Sequence, residues 1–343
     1  MNGCDECEMW RRKGAAFCPV CGSKLEKPER PIFDVLVLLG ATAVAFIVLF
    51  NAVYVTANFG NICSDLDDYT MPISISFGLW DVILCRYSGI WMDIVLAAYT
   101  AIEVACVAYA LWRLWTVLRE RPDDYPAQEG TGMYMATAAL SLSLFISIVG
   151  IALSAIVDQV PDTSWLDDYS DYVIVFMMTH AGVSEELFFR VMYIGIPMTV
   201  IALIVRRDKR SWQYLFGGFG LSKTAVVLII VSSTLFGLAH YNGWGWSKVP
   251  LTFFGGLLFA YVYTEYGLYT SIIMHTANDT MLTLVNAGLG GLSVLAEFSL
   301  IILGLIVLIY WILHPNRKVF DLKNMETFPP KLENNLAEQW KRH

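Results

Sequence analysis

The most apolar parts of this chain are interrupted by acids, an arginine and two histidines whose spacing could do chemistry. In Ser184-Glu185-Glu186-Leu187-Phe188-Phe189-Arg190, two carboxylates and a guanidinium sit inside an apolar run from Tyr172 to Val205. A charge near the middle of a bilayer costs about 2.5–3.5 kcal/mol on insertion scales, so idle charges there are expensive. On a helix, Glu186 and Arg190 stand at i,i+4 with the acid first, the favourable order for an ion pair on one face. Glu185 is then the carboxylate without a local partner, and a lone acid held out of water can exchange protons as a general base must. The plainer reading is a structural polar knot between helices. Phe236-Gly237-Leu238-Ala239-His240 ends a later apolar run, and His275-Thr276-Ala277-Asn278-Asp279 lies within another. His275 and Asp279 share a helix face, with Asn278 beside it. One carboxylate, two imidazoles and an amide or acid suffice to activate water and stabilise an oxyanion. The same groups are a plausible metal ligand set.

The elements that must position these residues are apolar helices. The chain has 343 residues, 56% hydrophobic and 16% charged, with a mean hydropathy of +0.54. Segments at 32–57, 90–118, 132–157, 172–205, 224–241, 250–265, 268–285 and 294–313 approach or exceed the ~20 residues that span a bilayer. The expected fold is an all-α polytopic membrane protein of about eight transmembrane helices. The fourth segment would be about 51 Å long as one helix, beyond a ~30 Å hydrocarbon core, so a kink is expected at Gly195 and Pro197. Lys and Arg gather before the first span, at Arg119 and Arg121, at Arg206, Arg207, Lys209 and Arg210, and at Arg317 and Lys318. The alternate loops hold Asp65, Asp67, Asp68, Asp158, Asp162, Asp167, Asp168 and Asp171, with Arg86 as their base. This alternation puts both termini in the cytoplasm.

Residues 1–30 read as a separate soluble module. Cys4-x2-Cys7 and Cys18-x2-Cys21 are two thiol pairs suited to a tetrahedral structural Zn2+, a zinc ribbon folded largely by its metal. Arg11, Arg12 and Lys13 fit a solvated turn better than a nucleic-acid or lipid patch, and no nucleic-acid partner is expected. No cleavable signal peptide is recognisable at the N-terminus. Cys63 and Cys85 share the first outer loop, where an oxidising compartment would let them pair. Cys106 reads as a small buried hydrophobe. Residues 31–313 form the membrane domain, and 314–343 a cytoplasmic tail with a terminal helix.

Milder readings fall on the remaining polar residues of the spans. Glu103 in mid-span either contacts the polar cavity or makes an interhelical hydrogen bond. His180 lies on a different face from Glu185. Asp93, Glu265 and Glu297 sit near span ends. Gly255 and Gly256 suggest close packing, and Trp244 and Trp246 interface anchoring.

The order Glu-Glu-x-x-x-Arg, Phe-x-x-x-His, His-x-x-x-Asn/Asp resembles the signature of the CPBP intramembrane proteases. That family includes the type II CAAX prenyl endopeptidases and the bacterial Abi proteins. The resemblance covers about 170–290, through Glu185, Glu186 and Arg190, then Phe236 and His240, then His275 and Asp279. It implies peptide-bond hydrolysis within the membrane of a membrane-embedded or lipidated substrate, with prenylated C-termini suggested by the family name. Glu185 with His240 would activate water, His275 and the residue one turn on would hold the oxyanion, and Glu186 with Arg190 would orient the site. Two departures stand out. The 55 residues from Glu185 to His240 exceed the family's usual spacing. Asp279 stands where the eukaryotic-type enzymes carry an amide, so it would orient His275, be protonated or bind a metal, or Asn278 would supply the donor. A second Zn2+ at this site, making a metalloprotease, is left open by the residues. Helix rise places His240 nearer the outer face than Glu185 and His275, unless the fifth span continues toward Trp246. A non-catalytic scaffold that keeps the fold is the alternative. A proton-relaying transporter fits less well, because no inverted repeat is visible.

Overall fold

The computed structural model describes residues 7, 10, 17–24, 31–121, 125–207, 210–314 and 325–328. Cys4, the Arg11–Lys13 stretch and most of the expected tail therefore lie outside the described residues. Each of the eight apolar segments folds as helix. They form α1 (Ile32–Ala57), α3 (Ile90–Glu120), α5 (Gly132–Ile156), α6 (Asp171–Glu185) continuing into α7 (Ile196–Arg206), and α8 (Lys223–Ala239). The series ends with α10 (Lys248–Tyr266), α11 (Leu268–Asp279) followed by α12 (Met281–Asn286), and α13 (Gly290–Leu313). Short helices α2 (Phe59–Leu66), α4 (Tyr125–Glu129) and α9 (Tyr241–Trp244) lie in the connections. Six helical stretches among the described residues are long and apolar enough to cross a membrane, and α10 and the α11–α12 pair are shorter. This is an integral membrane protein of polytopic all-α architecture.

Ser170 starts α6 by accepting a hydrogen bond from Val173 N, and Ser222 starts α8 by accepting one from Ala225 N. The fourth segment breaks earlier than the Gly195-Pro197 pair suggests. Residues Glu186–Gly195 form a π-helix between α6 and α7, and Pro197 merely occupies the first turn of α7, where its missing N–H costs nothing. Such wide turns concentrate at functional sites, and this one carries Glu186 and Arg190. The fifth span does continue past His240, since α8 runs through a cap at His240 into α9.

Helix α11 is the axis of the bundle, packed against α1, α3, α5, α6 and α10. Small residues allow the approach: a Cβ on Gly182 of α6 would stand 2.9 Å from Thr276 Cα of α11. Gly256 of α10 likewise faces Phe236 and Ser233 of α8.

The first outer loop holds a β-hairpin absent from the expectations above, β1 (Thr70–Ser76) with β2 (Asp81–Ser88), antiparallel with a bulge between Ile73 and Ser74. The alternation Ile73-Ser74-Ile75-Ser76 was its signal. Its turn carries Gly78 at φ +82°, and a Cβ there would lie 3.0 Å from Leu238 Cβ on α8. Tyr193 in the π-helix donates to Ser76 O, so the hairpin is latched over the bundle. Cys63 and Cys85 are free thiols; Cys63 bonds Asp93 and is pushed up to about 12, chiefly by burial.

Candidate active site

Glu185 ends α6 and Glu186 opens the π-helix, and as successive residues of a helix their carboxylates face different ways. Glu186 is fully buried. Its Oε2 lies 3.3 Å from Arg190 Nε, and its Oε1 is 2.7 Å from His275 Nδ1 on α11. Arg190, also fully buried, donates from Nη1 to Ser232 Oγ at 3.0 Å, and Ser232 passes a hydrogen bond of 2.6 Å to Phe189 O. The guanidinium lies 5.0 Å from the Phe236 ring centre, a cation–π contact in a desolvated place. Buried charges survive when paired and hydrogen-bonded in this way.

Glu185 contrasts with its neighbour. Its side chain is 29% exposed, and Oε2 has no hydrogen bond. That oxygen lies 3.9 Å from His240 Nε2 and 3.6 Å from His275 Nε2. Contacts of this length are those a bridging water would occupy. His240 caps α8, and its Nδ1 donates to Phe236 O at 2.8 Å, so Nε2 is the nitrogen turned toward Glu185. Phe259 stacks on the His275 ring at 4.7 Å, and Phe236 stands edge-on to both imidazoles.

Asp279 Oδ2 lies 3.3 Å from His275 Nε2, and Asp279 Oδ1 accepts from Asn278 Nδ2 at 2.9 Å. The Asn278 amide is thus engaged by its neighbour. His275 has Glu186 at one nitrogen and Asp279 and Glu185 near the other.

All seven residues named from the sequence, Glu185, Glu186, Arg190, His240, His275, Asn278 and Asp279, therefore lie in one connected cluster. Two cavities meet at Glu185. One of about 720 Å³ is walled by His240, His275, Asn278, Asp279 and Lys248, and one of about 920 Å³ by the hairpin and the apolar side of the π-helix. His180 lines both, held between Tyr87 Oη and Ser184 Oγ at 3.0 Å each. Tyr87 and Lys248 escaped the sequence reading. Both lie near span ends, where a polar residue is unremarkable. Ser232 was detectable only as a hydroxyl in an apolar run. Glu103 lies apart from both cavities. It accepts from Thr276 Oγ1 at 3.2 Å and from Asn51 Nδ2 at 3.4 Å, the interhelical alternative.

At the N-terminus, Sγ atoms of Cys7, Cys18 and Cys21 lie within 4.8 Å of one another. A tetrahedral zinc with Zn–S bonds of about 2.3 Å holds its sulfurs about 3.8 Å apart, so the three thiols fit a metal ion. Gly22 N donates to Cys18 O at 2.8 Å, and Gly22 takes φ +72°, folding the second pair into a tight turn. Among the described residues no other three His, Cys, Asp or Glu donors gather so closely. In the membrane, Glu185, Glu186, His240, His275 and Asp279 meet through carboxylate–imidazole contacts.

Residues 170–281 match the family described as type II CAAX prenyl endopeptidase Rce1-like. The match begins at the cap of α6, ends just past Asp279, and so takes in the whole cluster. No curated protein and no solved structure matches the chain. Over those residues the chain is similar to a CAAX endopeptidase family.

Proposed function

We propose that this protein is an intramembrane endopeptidase in which Glu185 and His240 activate a water that attacks a substrate carbonyl. The observation that carries this reading is the unbonded Glu185 Oε2, set between two imidazole nitrogens at 3.9 and 3.6 Å on the wall of a cavity. A water bridging Glu185 and His240 gives its proton to the carboxylate as its oxygen bonds the carbonyl carbon. His275, with carboxylates beside both nitrogens, acts as a two-proton donor and turns Nε2–H toward the developing oxyanion. Collapse breaks the C–N bond, and the leaving amine takes the proton back from Glu185. Asp279 orients His275, because an ionised carboxylate cannot itself donate to an oxyanion. Glu186 and Arg190 are positioning residues.

Residues 1–30 fit a zinc ribbon, with Cys4 as fourth ligand beside Cys7, Cys18 and Cys21. The catalytic step as drawn uses only side chains and water. The substrate is a membrane-embedded or lipidated protein. The deciding experiment uses a fluorogenic peptide anchored by an S-prenyl cysteine, with purified protein in proteoliposomes. Glu185→Gln and His240→Ala are expected to lower turnover by about 10²–10⁴-fold, with an unchanged melting temperature. Full turnover by folded Glu185→Gln would overturn the assignment.

A further inference from the structure

Both cavities are built at the same end of the bundle. Their walls reach Arg86 and Trp91 by the hairpin, Val160 and Trp165 before α6, and Trp244 and Lys248 between α8 and α10. Arg86, Trp91 and Val160 are exposed, so the chambers approach solvent at this end. Asp162 N donates to Trp244 O at 3.1 Å and Asn286 Nδ2 to Asp171 O at 3.4 Å, which ties three connections together there. Neither cavity reaches the opposite end, here called the closed end, which is tied by other contacts. Tyr134 Oη donates to Asp34 Oδ1 at 2.6 Å, Phe33 stacks on Tyr310 at 3.8 Å, and Lys223 N donates to Glu326 O at 2.9 Å.

The two ends differ in where their Lys and Arg residues lie. Arg119, Arg121, Arg207, Arg210 and Lys223 flank the closed end, and Arg206, Lys209, Arg317 and Lys318 adjoin it in sequence. At the chamber end stand Asp65, Asp67, Asp68, Asp158, Asp162, Asp167 and Asp168. The bases there are Arg86 and Lys248, and the Lys248 ammonium lies 4.4 Å from the Trp244 ring centre, on the cavity wall. Lys and Arg in short loops stay on the cytoplasmic side during insertion, whereas acids exert little influence. The closed end is therefore the cytoplasmic one.

We propose that the Glu185 chamber is served from the non-cytoplasmic side, and that its substrates are exported or membrane-anchored chains whose scissile segment lies on that side. The substrate half rests on the endopeptidase reading above; the orientation does not. A protein whose lipid anchor and cleavage segment both face the cytoplasm would have to thread that segment past the closed end to meet Glu185.

Thiol labelling in spheroplasts of an expression host, with a membrane-impermeant maleimide after reduction, tests the orientation without any turnover. Cys85 is an exposed free thiol at the chamber end, and Lys223 is exposed at the closed end. Labelling that is lost in Cys85→Ser is expected in intact spheroplasts. Lys223→Cys, placed in a Cys63→Ser, Cys85→Ser background, is expected to label only after lysis. The reverse pattern overturns the proposal. Two libraries of single-span reporters, with a randomised juxtamembrane segment on one side or the other, test the substrate half. Cleavage confined to the non-cytoplasmic library and abolished by Glu185→Gln supports it, and Glu185-dependent cleavage of the cytoplasmic library sinks it. If neither library is cut while labelling follows expectation, the endopeptidase reading fails, its substrate half falls with it, and the orientation stands.

Discussion

Two buried acids meet helix α11 on opposite sides, and they are built for different ends. His275 points to Glu186, Glu185 and the chambers, while the next residue, Thr276, points to Glu103. Glu103 is fully buried, its oxygens accept from Asn51 and Thr276, and Asn51 in turn accepts from Thr283 and donates to Thr179. That knot joins α1, α3, α6, α11 and α12 and lines neither chamber. The other cluster keeps capacity unused: Glu185 Oε2 is unbonded, and so is Arg190 Nη2. A closed network rigidifies, whereas a reaction needs an acceptor that the protein has left free. The knot behind α11 and the π-helix before it hold that acceptor at a set distance from two imidazoles.

The comparison can be broken most severely at Glu186, which serves both Arg190 and His275. Removing one partner of a buried ion pair strands the other, so Glu186→Ala is expected to cost roughly 3–5 kcal/mol of stability and to abolish cleavage. Chemical unfolding in detergent beside a turnover assay would separate this from Glu185→Gln, which should lose turnover alone. A Glu186→Ala protein as stable as the wild type would show that the pair is not what holds the π-helix.

At Glu103 the expected effect is smaller and mainly structural. Glu103→Leu leaves Asn51 and Thr276 without their acceptor, a loss of about 1–3 kcal/mol, while Glu103→Gln keeps most of the contacts and most of the activity. If Glu103→Gln instead removed turnover at unchanged stability, the knot would belong to the chemistry. The smallest effect on the membrane domain is expected from the N-terminal module. If the proposed ribbon holds zinc, Cys18→Ser should lower the zinc found per purified chain and leave peptide cleavage in place. Loss of cleavage together with that zinc would tie the ribbon to the site.

Much of the site was legible because charge inside apolar sequence is costly, so Glu185, Glu186, Arg190, His240 and His275 stood out against their surroundings. Glu103 stood out equally, and sequence alone offered it two roles. Its partners Asn51 and Thr276 carry no charge, and single polar groups are common in membrane helices, so nothing marked them. The hairpin was missed because an apolar-span search passes over a short alternating segment. The break in the fourth segment was expected at Pro197, but the π-helix starts at Glu186, where no residue type announces it.

Composition and periodicity by themselves determined the membrane-embedded helices, the clustering of bases in alternate connections, the paired cysteines and the residues equipped for proton transfer, since each follows from local polarity and spacing. Only the tertiary structure decided that Glu186 is spent on Arg190 and His275 while Glu185 stays open, that Asp279 faces His275, and that Glu103 is sealed away from both chambers. Those outcomes depend on which helix faces meet across the bundle, because adjacent residues on a helix face different neighbours and the packing alone decides which neighbours those are.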